Sequence, residues 1–186
     1  MRKTLTLSML LLVLCGGTQA FASASFANRS LGLSVSGIGL VGDIKPVDWI
    51  LPIALEGGLY LENGFEVFLR PQFFLARVPI NATGPGTAGG IVIGGGGQLG
   101  VRYLFLEESI RPYVGLHLAA LVFNTQPSVS AYPGVGTQVG CDFFVGESVS
   151  LGLRAVVDMS LAFNTFGRDV VTLFGIGGGG YVTTYF

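Results

Sequence analysis

The charges in this chain keep to one side. From residue 47 to residue 161 the sequence repeats one pattern: a run of roughly ten or more residues in which apolar and polar side chains alternate, then a turn or loop. Within those runs stand Asp48, Glu56, Glu66, Arg70, Arg102, Arg111, His117, Asp142, Arg154 and Asp158. Each falls on the parity opposite to the Leu, Val, Ile and Phe residues of its own run. Arg77 has the apolar parity, but it comes at the rim of its run, where a long side chain can reach polar surroundings. Successive side chains of a strand point to opposite faces. One face is therefore free of charge and the other carries nearly all of it. A sheet with one face in lipid requires this, because an Arg or Lys on that face costs about 2–4 kcal/mol at the bilayer midplane. A soluble barrel has the inverse arrangement, apolar inside and charged outside. A soluble sandwich with a polar outer face shares the alternation.

Composition weighs against the sandwich. Hydrophobic residues make up 50% of the chain and charged residues 11%, with a mean hydropathy of +0.65. Soluble domains carry about 25% charged residues. Thirty glycines weigh against membrane helices, since each interior Gly weakens a helix by roughly 0.5–1 kcal/mol. After residue 24, no apolar stretch uninterrupted by charge, Gly or Pro is long enough to span a bilayer as a helix. A net charge of −1 provides no basic surplus, which excludes nucleic acid as a partner.

The alternating runs number eight. They are predicted at Leu31–Leu40, Val47–Leu61, Phe65–Arg77, Ile91–Phe105, Ile110–Phe123, Gly134–Val145 and Val149–Leu161, with a last run reaching Phe186. Their connections alternate in length. Glu62–Gly64, Leu106–Ser109 and Gly146–Ser148 read as tight turns, the first through Asn63-Gly64, both tolerant of positive φ. Val41–Pro46, Pro79–Gly90, Asn124–Pro133 and Asn164–Asp169 read as longer loops. The expected fold is all-β: an eight-stranded, antiparallel, up-and-down transmembrane β-barrel. Aromatic girdles are expected at both rims, with Phe65, Tyr103, Phe105, Phe143 and Phe186 at the turn end and Trp49, Phe123, Phe163 and Phe174 at the loop end.

Residues 1–24 read as a secretory signal peptide. Arg2-Lys3 is followed by an apolar core from Leu5 to Leu14 and then by small residues. Cleavage after Ala20, Ala22 or Ala24 fits equally. Residues 25–186 form the barrel domain. Cys141 is then the only exported thiol, so no intrachain disulfide is expected.

The last residues are Gly180-Tyr181-Val182-Thr183-Thr184-Tyr185-Phe186. A final strand ending in Phe186, with Gly180 six residues earlier and Val182 at an alternating position, resembles the C-terminal signal of outer-membrane barrel proteins. Thr184 departs from it, since the family more often has a bulky residue there. Arg111-Pro112-Tyr113-Val114-Gly115-Leu116 also resembles a strand opening of small OmpA- and OmpX-type barrels. The resemblance implies an outer-membrane location, contact with outer-membrane lipid, and recognition of Gly180, Val182 and Phe186 by the barrel-insertion machinery. A monomer is expected.

No enzyme chemistry emerges from the residues. Gly94–Gly97 and Gly177–Gly180 lack the Lys-Ser/Thr ending of a phosphate loop and fall inside strands. His117 is the only histidine, predicted to point inward at mid-strand with no serine paired to it as a triad would need. No cofactor or metal site is expected. Inward, Glu56, Glu66, Asp142 and Asp158 can meet Arg70, Arg102, Arg111 and Arg154 as a neutralised network, since unpaired buried charge is costly. Phe68, Phe74 and Tyr113 point the same way. The expected function is a filled, charged-core barrel with a structural or loop-displaying role. The alternatives are a narrow channel or carrier for small solutes and, third, a lipid-modifying enzyme.

Overall fold

A computed structural model describes residues 29–41, 47–61, 64–77, 90–105, 109–125, 128–163 and 170–186, with side chains omitted for 124–130, 162–163 and 170–171. The expected signal peptide, the tips of most loops and the residue ahead of the Gly64 turn lie outside the described residues. Eight strands follow one another: β1 (Arg29–Val41), β2 (Trp49–Tyr60), β3 (Phe65–Arg77), β4 (Ile91–Leu104), β5 (Ile110–Thr125), β6 (Ser128–Phe144), β7 (Val149–Phe163) and β8 (Val170–Tyr185). Each pairs antiparallel with its neighbours, and β1 closes on β8 from Ser30↔Tyr185 to Val41↔Phe174. Closure leaves no sheet edge unpaired, the condition for a β-structure in lipid. Every strand exceeds the roughly 9–11 residues a tilted crossing needs.

Burial is inverted relative to a soluble protein. Leu116 is 60% exposed, Leu118 62% and Leu99 52%, whereas Arg102 is 1% and Asp142 0% exposed. The alternation seen in the sequence is thus a wall with an apolar outer face and a polar inner one. The tight turns are as expected where described. Gly64 has φ 85°, a conformation in which an L side chain is strained, and Leu61 N donates to Phe65 O at 2.6 Å across that turn. Gly94 serves a different need. A Cβ there would strike the ring of Phe74, so the glycine leaves room for an inward aromatic on the adjacent strand.

Three expectations are corrected. Asn124–Pro133 is mostly strand: β5 and β6 stay paired up to Thr125↔Ser128. Polar residues and Pro133 suggested a loop, but a hairpin rising beyond the lipid belt has no need of apolar alternation. Pro133 still faces Ala120 of β5, and the ladder to β7 goes no further out than Gly134↔Ser160, so its missing N–H costs no bond on that side. Phe123 is not in the outer girdle. It has the same parity as His117 and is buried against Phe74 and Tyr132, at ring separations of 4.8 and 5.3 Å. Val47 does not extend the apolar outer row, because β2 begins at Trp49 and Val47 is buried in the interior cluster. Of the remaining expected girdle residues, Phe65, Tyr103, Phe105, Phe186, Trp49 and Phe174 are exposed and Phe143 is half-buried.

Candidate functional site

The barrel interior is the only place where charged groups converge among the described residues, and it is layered. In the turn half, Glu56 of β2 is the hub. Arg70 Nε donates to its Oε2 at 2.6 Å, Arg154 Nη1 to the same oxygen at 2.8 Å, and Arg102 Nη1 to Oε1 at 3.0 Å. Arg102 also donates Nε to Glu66 at 2.8 Å, and Ser30 Oγ donates to the other oxygen of Glu66 at 2.8 Å. Amides extend the hub, since Arg70 donates to the side-chain carbonyls of Gln98 and Gln138. These charges are fully withdrawn from water. Such pairs stabilise most when the remaining donors are also satisfied, and the two glutamines satisfy both terminal nitrogens of Arg70.

Each arginine also lies over a ring. Arg70 stands 4.7 Å from the Phe68 centroid, Arg102 5.0 Å from Tyr113, Arg111 4.2 Å from Phe144 and Arg154 4.9 Å from Tyr181. Stacking on an aromatic face offsets part of the cost of desolvating a guanidinium.

Of the acids expected inside, Glu56 and Glu66 meet Arg70, Arg102 and Arg154, while Asp142 and Asp158 have other partners. Asp142 accepts from the hydroxyls of Tyr181 and Tyr185. Asp158 meets His117, Nε2 to Oδ1 at 2.7 Å. Arg111 lies opposite Asp142 in the β5–β6 register and packs on Phe144. His117 points inward at mid-strand as predicted. Among the described residues, no three His, Cys, Asp or Glu side chains converge as metal ligands.

The loop half is apolar, which the expectation of a charged interior did not anticipate. Ile38, Val47, Ile50, Phe74, Ala76, Phe123 and Val156 form one buried cluster, with Leu40, Val92, Leu121 and Tyr132 against it. The wall that faces lipid and the plug that fills the upper interior are thus both hydrophobic.

The closed barrel of eight antiparallel strands has counterparts among solved structures. Neisserial surface protein A matches over 86% of this chain and 98% of its own, with a TM-score of 0.63 at 14% identity. The outer membrane protein OprG from Pseudomonas aeruginosa matches over 88% and 98%, with a TM-score of 0.54 at 12% identity. The fold is that of the small outer-membrane β-barrels. No protein-family model matches the chain, and no curated protein does.

Parity in the sequence reads charged side chains as inward or outward. It missed the tyrosines on Asp142 and the glutamines on Arg70, because a neutral side chain inside a barrel carries no charge signal. Their parity was nonetheless legible: Gln98, Gln138, Tyr181 and Tyr185 all alternate with outward apolar residues. The apolar plug was legible in the same way from Ile38, Ile50 and Val156.

Proposed function

We propose that this protein resides in an outer membrane as a closed, monomeric barrel that does not conduct, and that its role is structural or lies in the loops it displays. The observation that carries this reading is the continuous filling of the interior. Among the described residues, charged groups are paired across the turn half and an apolar cluster occupies the loop half. Eight strands enclose just enough space for side chains to fill. Among the described residues the histidine is paired with Asp158 and no three His, Cys, Asp or Glu side chains converge, which fits a non-enzymatic role with no cofactor. The outer wall makes outer-membrane lipid its principal contact. Gly180, Val182 and Phe186, all on the outward parity, are accessible to an insertion machinery.

The test is a planar-bilayer recording of the refolded protein. The expected trace stays at baseline; steady ion conductance would overturn the closed reading.

A further inference from the structure

Two small cavities lie within the barrel, one on either side of the innermost apolar side chains. The lower one, about 10 Å³, is floored by Ser34, Ser36, Gln72 and Gln98, with Arg70 and Arg154 beside them and Ile38 and Val156 above. The upper one, about 20 Å³, has Ile38 and Ile50 beneath it and Asp158 and Ser160 at its side. Each has room for about one water molecule. Gln72 lines the lower cavity, is 4% exposed, and its Nε2 has no protein acceptor. An amide donor buried without a partner costs about 1–3 kcal/mol, and a water held also by the serine hydroxyls removes that cost.

We propose that the lower cavity is a buried water site, and that the layer formed by Ile38, Ile50, Phe74 and Val156, rather than the charge network beneath it, is the barrel's seal against the outside. All four are at most 5% exposed. Polar groups pass water from one to the next, whereas an apolar constriction excludes it by dewetting. The Glu56 hub stabilises the fold and lies under a compartment that already holds water; the layer keeps that compartment separate from the outer mouth. Asp158 of the His117–Asp158 pair lines the upper cavity. This inference rests on the closed-barrel reading and names the element that closes it.

The test uses a chain in which Cys15 and Cys141 are replaced by Ser and Ser36→Cys reports on the lower cavity. The folded protein, verified by its heat-dependent gel migration, is exposed to a cationic methanethiosulfonate reagent. With the layer intact the thiol is expected to react slowly. Phe74→Ala, or Ile38→Ala should that variant not fold, is expected to raise the rate at least about tenfold by lowering the cost of local opening. Glu56→Gln, although it destabilises the barrel, is expected to raise the rate by less than either layer variant. Fast labelling under an intact layer, or acceleration by Glu56→Gln but not by the layer variants, overturns the proposal. If the unmodified barrel conducts in a bilayer, the closed-barrel reading falls; if it is silent while the labelling pattern is reversed, only the seal is misassigned.

Discussion

Arg70 of β3 and Arg154 of β7 share one oxygen of Glu56, at 2.6 and 2.8 Å, so a single carboxylate spans the barrel interior. Arg102 of β4 holds the other oxygen. Glu56→Gln removes the one charge that three guanidinium groups face. Breaking a buried pair from one side costs about 3–5 kcal/mol because the partner stays buried and uncompensated. The expected loss is of that size, read as a lower urea midpoint for the protein refolded in lipid or detergent. An unchanged midpoint would mean that the hub contributes no stability.

Leu116 stands at mid-strand on the outer wall, and Val41 stands on the same wall at the loop-end rim; they are 60% and 54% exposed. Leu116→Arg is expected to cost about 2–4 kcal/mol and to prevent insertion, while Val41→Arg costs about 0–1 kcal/mol, since the penalty follows depth in the bilayer. Surface levels of the two variants in cells measure the difference. Equal levels would contradict the placement of the lipid belt. From parity alone, Ser150→Arg would serve as the mild interior control. It is not a usable one, because Ser150 is fully buried and an arginine there overpacks the interior.

Neighbouring glycines in one run are expected to behave differently. A Cβ on Gly94 meets the Phe74 ring, while a Cβ on Gly95 finds Gln72 O at 3.8 Å, an ordinary contact. Gly94→Ala is expected to destabilise by about 1–3 kcal/mol through overpacking, with Gly95→Ala close to neutral. Thermal gel-shift midpoints separate them.

Phe186 is 64% exposed, and its backbone bonds Arg29 in both directions, N to O at 3.0 Å and O from N at 3.2 Å. Its side chain thus adds little to the folded barrel. If it is part of an insertion signal, Phe186→Ser lowers the amount of assembled protein in cells while refolding in vitro proceeds as before. A matching loss in both settings would assign the residue to stability instead.

The outward face was almost fully legible in the sequence, because lipid imposes a rule on every position it touches. Leu99, Leu116, Leu118 and Leu153 had to share one parity, and Arg102, Asp142 and Arg154 the other. Where lipid does not reach, the rule weakens. The β5–β6 hairpin beyond Pro133 read as a loop, since a strand outside the bilayer is free to be polar. Phe123 read as a girdle residue because aromatics at a strand end suit an interface, although its parity already pointed inward.

Inside the barrel, the sequence determined which residues face one another's compartment but not which of them meet. The period of two assigns a face to each side chain and is silent about the partner across the lumen. Closure decided that. The register and tilt of eight strands bring residues 98 positions apart, Glu56 and Arg154, to 2.8 Å, and they set Asp158 against the one histidine instead of an arginine. They also divide the interior into a charged half and an apolar half. That division depends on how far along its strand each inward residue lies, a height that alternation does not encode and that only the paired, closed sheet assigns.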